Sequence, residues 1–304
     1  MRLKFFPLSL KIFHHSSFDF DQLVDLKRQS GQRISVCIPT LDEAATIGPI
    51  VETLMGLPDL VDEVLVLDSG SADDTCRIAR EAGAQVFLSE AIAPEHGSHR
   101  GKGENLWKAL HLATGDLICY IDGDISNFGP RFVTGLVGPL LTDSAIGYVK
   151  AFYERPLEHP QGLRPTGGGR VTEILVRPLL SLFYPELTSF LQPLSGEYAA
   201  RREVFRSLAF PCGYGVELAH LIDLPAGIAA QVDLDQRIHR NRSDEELGRM
   251  AFGILQVLFR RLNRDGKVTL DQPLPDLLRT WQFDGNTLAT STLAIPEPER
   301  PPLN

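Results

Sequence analysis

From Ile34 to Asp124 the chain repeats one pattern: a short apolar run ending on polar residues, then apolar positions at helical spacing. Ile34-Ser35-Val36-Cys37-Ile38 reads as a buried strand closed by Pro39, and residues 64–67, 84–88 and 117–121 read as three more. Between them, Ile47, Ile50, Val51 and Leu54 share one helical face. Ser71-Ala72-Asp73-Asp74 reads as a capped helix start with Gly83 as its stop, and Leu106, Ala109, Leu110 and Ala113 line a helix over 104–113. This alternation predicts an α/β fold, a Rossmann-like, mostly parallel sheet with helices on both faces. Ligands bind such sheets at the carboxyl ends of the strands. The polar clusters at 40–43, 68–71 and 122–124 all fall there.

The second half is less regular. Residues 146–153 and 231–234 read as strands. Gly167-Gly168-Gly169-Arg170 is a turn entering a helix near Val171. Ser243-Asp244-Glu245-Glu246 is a capping box opening a helix that carries Leu247, Met250, Ile254 and Val257. The expected organisation is a lead-in over 1–32 with a helix at 20–28, an α/β portion over 33–145, and a smaller, more helical portion over 146–283. A Pro-rich tail over 284–304 is expected to be disordered or draped on the surface.

Bulk properties exclude several classes. A net charge of -9 disfavours a nucleic-acid partner. No apolar run reaches the roughly 18 residues of a bilayer span, so no membrane association is expected. The N-terminal MRLKFFPLSLKIFHH is interrupted by Lys11 and lacks a small-residue cleavage site, which argues against a secretory signal. The four cysteines show no metal-ligand spacing and no disulfide framework, which points to a reducing compartment, the cytoplasm.

Five segments carry candidate chemistry. Asp122-Gly123-Asp124 follows a buried strand, and its paired carboxylates suit Mg²⁺ or Mn²⁺, although an Asp-Gly turn at a strand end is common. Gly101-Lys102-Gly103 before a helix suits a phosphate, or is a solvated loop. Gly167-Gly168-Gly169-Arg170-Val171-Thr172 suits a phosphate or carboxylate at a helix start, or is a flexible linker. Strand alternation through Arg237-Ile238-His239-Arg240-Asn241-Arg242 would place Arg237, His239 and Asn241 on one side, unless the run is a basic surface loop. Glu197 and Glu217 each stand beside Gly and Tyr, as sugar-binding carboxylates do, or as helix N-terminal glutamates do.

Together IPTLDEAATIG, VLDSGSADDT, GKGENLWKAL, YIDGD, GGGRVTE, LQPLSGEYAA, GYGVELAHLID and IHRNR, in this order between Ile34 and Arg242, resemble the retaining glucosyl-3-phosphoglycerate synthases of the GT-A glycosyltransferase fold. The resemblance implies that 33–145 binds a nucleotide-sugar and that 146–283 includes the acceptor site. It implies Pro39, Thr40, Leu41, Glu43 and Ser69 around uridine, Lys102 on the nucleotide portion of the donor, and Asp122 and Gly123 on the ribose side. Asp124 and His239 would hold Mg²⁺ (or Mn²⁺), while Leu194, Tyr214, Glu217 and Arg237 would surround the donor hexose. Gly169, Arg170, Thr172 and Asn241 would hold the acceptor. Lys102, Asp124, Glu217 and His239 are the implied catalytic set, and a homodimer is expected.

The implied reaction moves glucose from UDP-glucose to the 2-hydroxyl of 3-phosphoglycerate. Retention invites a carboxylate nucleophile, and Glu217 is available. The family instead implies front-face attack, with Glu217 positioning the sugar. Two stretches depart from the family: Gly123 stands where Ser is common, and the His-rich run 94–100 has no counterpart. The alternatives are a mannosyl-3-phosphoglycerate synthase using GDP-mannose or both donors, a polyprenyl-phosphate glycosyltransferase, and an inactive nucleotide-sugar-binding protein. A nicotinamide-dependent dehydrogenase is disfavoured, since no Gly-x-Gly-x-x-Gly follows the first strand.

Overall fold

The computed structural model describes residues 10–159, 162–164, 168–238, 242–283 and 285–303. The chain enters through β1 (Lys11–His14) and α1 (Phe20–Ser30). It then alternates β2 (Ile34–Thr40), α2 (Ile47–Met55), β3 (Glu63–Asp68), α3 (Thr75–Glu81), β4 (Gln85–Leu88), α4 (Lys102–Leu112) and β5 (Leu117–Tyr120). After α5 (Arg131–Thr142) and β6 (Tyr148–Glu154) come a short hairpin, β7 (Leu157–His159) and β8 (Gly162–Arg164), then α6 (Arg177–Phe183) and β9 (Tyr198–Arg201). Next are α7 (Arg202–Arg206), β10 (Phe210–Pro211), α8 (Val216–Asp223), β11 (Ala229–Gln236) and α9 (Asp244–Arg264). A second hairpin, β12 (Leu277–Phe283) and β13 (Leu288–Ala294), precedes β14 (Glu299–Arg300).

Eight strands form one sheet in the order β1-β11-β6-β9-β5-β2-β3-β4. All neighbouring pairs are parallel except those of β9, which is antiparallel to β5 and β6. Side chains alternate across a strand, and each strand feeds two cores. Val36, Ile38, Val64, Val66, Leu117 and Cys119 meet α1, α2, α3 and α5 on one face. Cys37, Leu65, Leu67, Ile118 and Tyr120 meet α4, α6, α8 and α9 on the other. Burial on both faces explains why β2 and β5 are apolar runs rather than alternating ones.

Local signals act as expected at several termini. Asp19 caps α1 by accepting from the Gln22 amide, and Gly31 ends it at φ 68°. Ser243 and Glu246 form the reciprocal capping box of α9. At α3 the helix begins only at Thr75, because Asp73 accepts the Thr75 amide and organises the preceding turn instead.

Two expectations about organisation change. The lead-in does not stand apart: β1 pairs with β11 as an edge strand of the main sheet. The tail is fastened through its last residues: β14 pairs with β10, and Arg300 is buried against Glu104 at 2.8 Å. Charge pairing across such a sequence separation leaves no periodic trace in the tail's composition.

Candidate functional site

Asp122 and Asp124 lie just beyond β5, where the Ile121 amide still donates to the Cys37 carbonyl. Gly123 is pinned between them by Thr46 Oγ1, which donates to its carbonyl at 2.6 Å. A Cβ on Gly123 would stand 3.1 Å from Thr40 Cγ2, so serine here requires Thr40 to shift by a few tenths of an ångström. Gly196 packs flat on the Asp122 carboxylate, and any side chain there would collide with it.

Lys102 is the first residue of α4 rather than a loop residue. The flanking glycines have a packing role that the sequence does not disclose. A Cβ on Gly101 would strike the Cys212 carbonyl, and one on Gly103 the Pro211 carbonyl. They bring Lys102 against α8, where its Nζ lies 2.5 Å from Asp122 and 2.7 Å from Glu217. Burial opposes the charge on Lys102, but Asp122 and Glu217 outweigh it and hold the ammonium protonated. Burial likewise opposes the charge on Asp122, and Lys102 and Arg237 keep its carboxyl well below the usual range.

Arg237 is the second hub. Its guanidinium donates to Asp122 at 3.0 Å, Asp124 at 2.7 Å and Glu197 at 3.0 Å. Glu197 is fully buried and also accepts from Tyr153 OH. Breaking such a group by removing one charge strands the others in a poor solvent. Asp124 borders the cavity, and its second carboxylate oxygen takes no hydrogen bond among the described residues. That free hard oxygen beside Asp122 fits a divalent ion.

At the ends of β2 and β3, Thr40 donates to Asp68 at 2.9 Å, and Asp68 also accepts from the Gly70 and Ser71 amides. Burial works against the Asp68 carboxylate, yet these bonds hold it below its ordinary pKa. Ser69 donates to Asn105, which in turn donates to the Leu67 carbonyl.

One cleft gathers these residues. Pro39, Thr40, Leu41, Glu43 and Ser69 border one part, while Lys102, Asp122, Gly123 and Asp124 form its floor. Leu194, Tyr214, Glu217 and Arg237 border it further along, and Gly169, Arg170 and Thr172 close the remaining side. His239 and Asn241 lie outside the described residues. β11 ends at Gln236, and Arg237 lies just past it.

Sequence reasoning missed Arg100, Arg155 and Arg242, which also line the cleft. Arg242 donates to Tyr214 OH at 3.0 Å, and Arg170 donates to the Arg242 carbonyl at 2.7 Å. With Lys102, Arg170 and Arg237 these make, among the described residues, six cations facing four carboxylates, Glu43, Asp122, Asp124 and Glu217. The lining is cationic in a chain of net charge -9.

A carboxylate pair and clustered cations at the carboxyl edge of such a sheet define a glycosyltransferase, and residues 35–205 match the family described as Glycosyl transferase family 2. A glucosyl-3-phosphoglycerate synthase of Petrotoga mobilis is 49% identical over 96% of this chain and 92% of its own. The crystal structure of that synthase from Mycobacterium tuberculosis with Mn²⁺, UDP-glucose and phosphoglyceric acid superposes with a TM-score of 0.84 at 42% identity, covering 97% of this chain and 98% of that one. The mannosyl-3-phosphoglycerate synthase of Rubrobacter xylanophilus superposes with a TM-score of 0.88 at 34% identity, covering 96% of each chain. The chain belongs to the glucosyl-3-phosphoglycerate synthase family.

Proposed function

We propose that this protein transfers glucose from UDP-glucose to the 2-hydroxyl of 3-phosphoglycerate, with retention at the anomeric carbon. The observation that carries the reading is the cleft with six cations over four carboxylates. Both substrates bear phosphate, and the acceptor adds a carboxylate.

Pro39, Thr40, Leu41, Glu43 and Ser69 are assigned to the uridine, with Asp122 and Gly123 on the ribose side. Asp124, with His239, is assigned to Mg²⁺ or Mn²⁺; when bound, the ion supplies Lewis-acid neutralisation of the leaving diphosphate. Lys102 adds a preorganised positive charge on the same side, held in place by Asp122 and Glu217. Leu194, Tyr214, Glu217 and Arg237 are assigned to the hexose. Glu217 is committed to an ion pair with Lys102 at 2.7 Å, which suits a carboxylate that positions sugar hydroxyls better than a nucleophile. The departing phosphate is assigned the proton of the attacking hydroxyl, on the face where both groups lie.

Gly169, Arg170, Thr172 and Asn241 are assigned to the acceptor. Arg170 now pairs with Asp244, an exposed residue at the first turn of α9. Exposed pairs are weak, so an acceptor phosphate can take the guanidinium over.

A homodimer is the proposed assembly, and the cytoplasm the proposed compartment, in keeping with four free cysteines. No helix of the described residues is long and apolar enough to cross a membrane. A GDP-mannose reading is favoured by one observation, the close superposition on the mannosyl enzyme. Steady-state rates with UDP-glucose and GDP-mannose, each with 3-phosphoglycerate, separate the two. A higher kcat/KM for UDP-glucose is expected, and a higher value for GDP-mannose would reassign the donor.

A further inference from the structure

Two imidazoles and a carboxylate converge at the carboxyl ends of the two strands at the sheet edge. His14 closes β1 and His15 follows it, while Asp235 lies near the end of β11. None of the three lines the cleft. The β11–β6 register shifts between Asp233 and Gln236, and Asp235 adopts a left-handed φ of 63° that a residue with a side chain rarely takes. Its carboxylate then meets both rings. His14 Nε2 lies 2.9 Å from Oδ1, and His15 Nε2 lies 2.6 Å from Oδ2. One ligand atom from each residue lies within 4.8 Å of the other two, and among the described residues no other group of His, Cys, Asp or Glu meets this closely.

We propose that His14, His15 and Asp235 form a second metal site, for a borderline divalent transition ion such as Zn²⁺. Two imidazole nitrogens and one carboxylate oxygen are a donor set that suits Zn²⁺ and disfavours Mg²⁺, which takes oxygen ligands in octahedral geometry. Zinc bonds of about 2.0–2.1 Å in a tetrahedron place ligand atoms about 3.3 Å apart. The two hydrogen-bonded distances are shorter by about 0.4 and 0.7 Å, so seating the ion opens both contacts by that much and turns the Asp235 carboxylate to present one oxygen. His14 Nδ1 lies 2.7 Å from Ser16 Oγ. In this structure Nδ1 also accepts from the Ser16 amide at 3.2 Å. When Nε2 takes the ion, the ring proton resides on Nδ1, that amide bond is given up, and Ser16 Oγ accepts the proton, as outer-shell partners of metal-bound histidines do. The side chains are 44%, 19% and 54% exposed for His14, His15 and Asp235, which leaves the remaining coordination position to water. The ion would clamp the edge strand to the segment that delivers Arg237 two residues later.

Calorimetric titration of the full chain with Zn²⁺, in excess Mg²⁺ to occupy the proposed Asp124–His239 site, tests this. The wild type and Asp124→Asn should each bind one Zn²⁺ at this site. His15→Ala and Asp235→Asn should bind it at least 100-fold more weakly. Because His15 packs near Gly135, His14→Gln at the more exposed ring is the control against misfolding, with melting curves recorded for every variant. No Zn²⁺ uptake by the wild type, or equal uptake by folded His14→Gln and Asp235→Asn, would overturn the assignment and leave a hydrogen-bonded cluster only.

Discussion

Lys102 and Arg237 together hold Asp122, Asp124 and Glu217, which line the cleft, and Glu197, which is buried away from it. Behind it lies a third cation with a different fate. Lys150 is buried, and its Nζ sits 4.3 Å from the Tyr198 ring with no hydrogen-bond partner among the described residues. Tyr148 OH, Tyr198 OH and both ring nitrogens of His220 are unpartnered in the same way. Burial pushes Lys150 down to about 7; Glu217, Glu197 and Asp122 favour its charge and Lys102 opposes it. The unfolded chain keeps its proton up to about pH 10.4. Between those values unfolding takes up a proton, so stability rises with pH in that window. Lys150→Met removes this dependence. Its stability gain over the wild type should be greatest below pH 7 and shrink toward pH 10, by at most about 1.4 kcal/mol per pH unit. Urea unfolding across that range checks it, and a pH-independent difference would contradict it. Residue types at the floor were legible, since Asp122, Asp124, Lys102 and Glu217 stand in recognisable motifs. Their pairing was not, because Lys102 meets Glu217 only through the packing of α4 against the segment leading into α8. Arg100 and Arg155 carried no periodic or motif signal that separates a cleft arginine from a surface one, and Arg242 stood in IHRNR with no role assigned to it.

At the scale of elements, the carboxyl-edge geometry followed directly from apolar runs and helical spacing, and β2, β3 and β5 lie where those runs lie. Some of the elements missed are local, such as α5 and the two hairpins, but β1 and β14 depend on distant partners. β1 exists because β11 offers it an edge, and β14 because β10 does. The second case bears on function. Arg300 donates to both oxygens of Glu104, at 2.8 Å each, and Glu104 is buried two residues after Lys102 in the first turn of α4. Trp107 of the same helix donates to the Pro301 carbonyl at 2.9 Å. The tail thus fastens the helix that presents Lys102. Arg300→Ala leaves buried Glu104 without its bidentate partner, with Lys108 Nζ at 3.9 Å and the His99 amide at 3.2 Å still offsetting part of its charge, which costs up to about 3–5 kcal/mol. A lower melting temperature together with a reduced kcat is expected. Unchanged values of both would mean that the tail is only an ornament on α4.

At the scale of the molecule, β12 and β13 pair with each other and, among the described residues, with no other strand. A two-stranded ribbon is marginal alone. One of its faces carries Leu277, Trp281, Phe283 and Leu288, all strongly exposed. An exposed apolar face of this kind is a candidate contact surface for the proposed homodimer. Trp281→Asp should shift the mass measured by light scattering from dimer to monomer, and a wild-type monomer would contradict the assembly. The central claim concerns chemistry, and proton NMR of the reaction mixture addresses it. UDP-glucose and 3-phosphoglycerate with Mg²⁺ should give an α-linked glucosyl-3-phosphoglycerate, and EDTA should stop its formation. A β-linked product, undiminished turnover in EDTA, or glucose release without transfer to 3-phosphoglycerate would contradict the account.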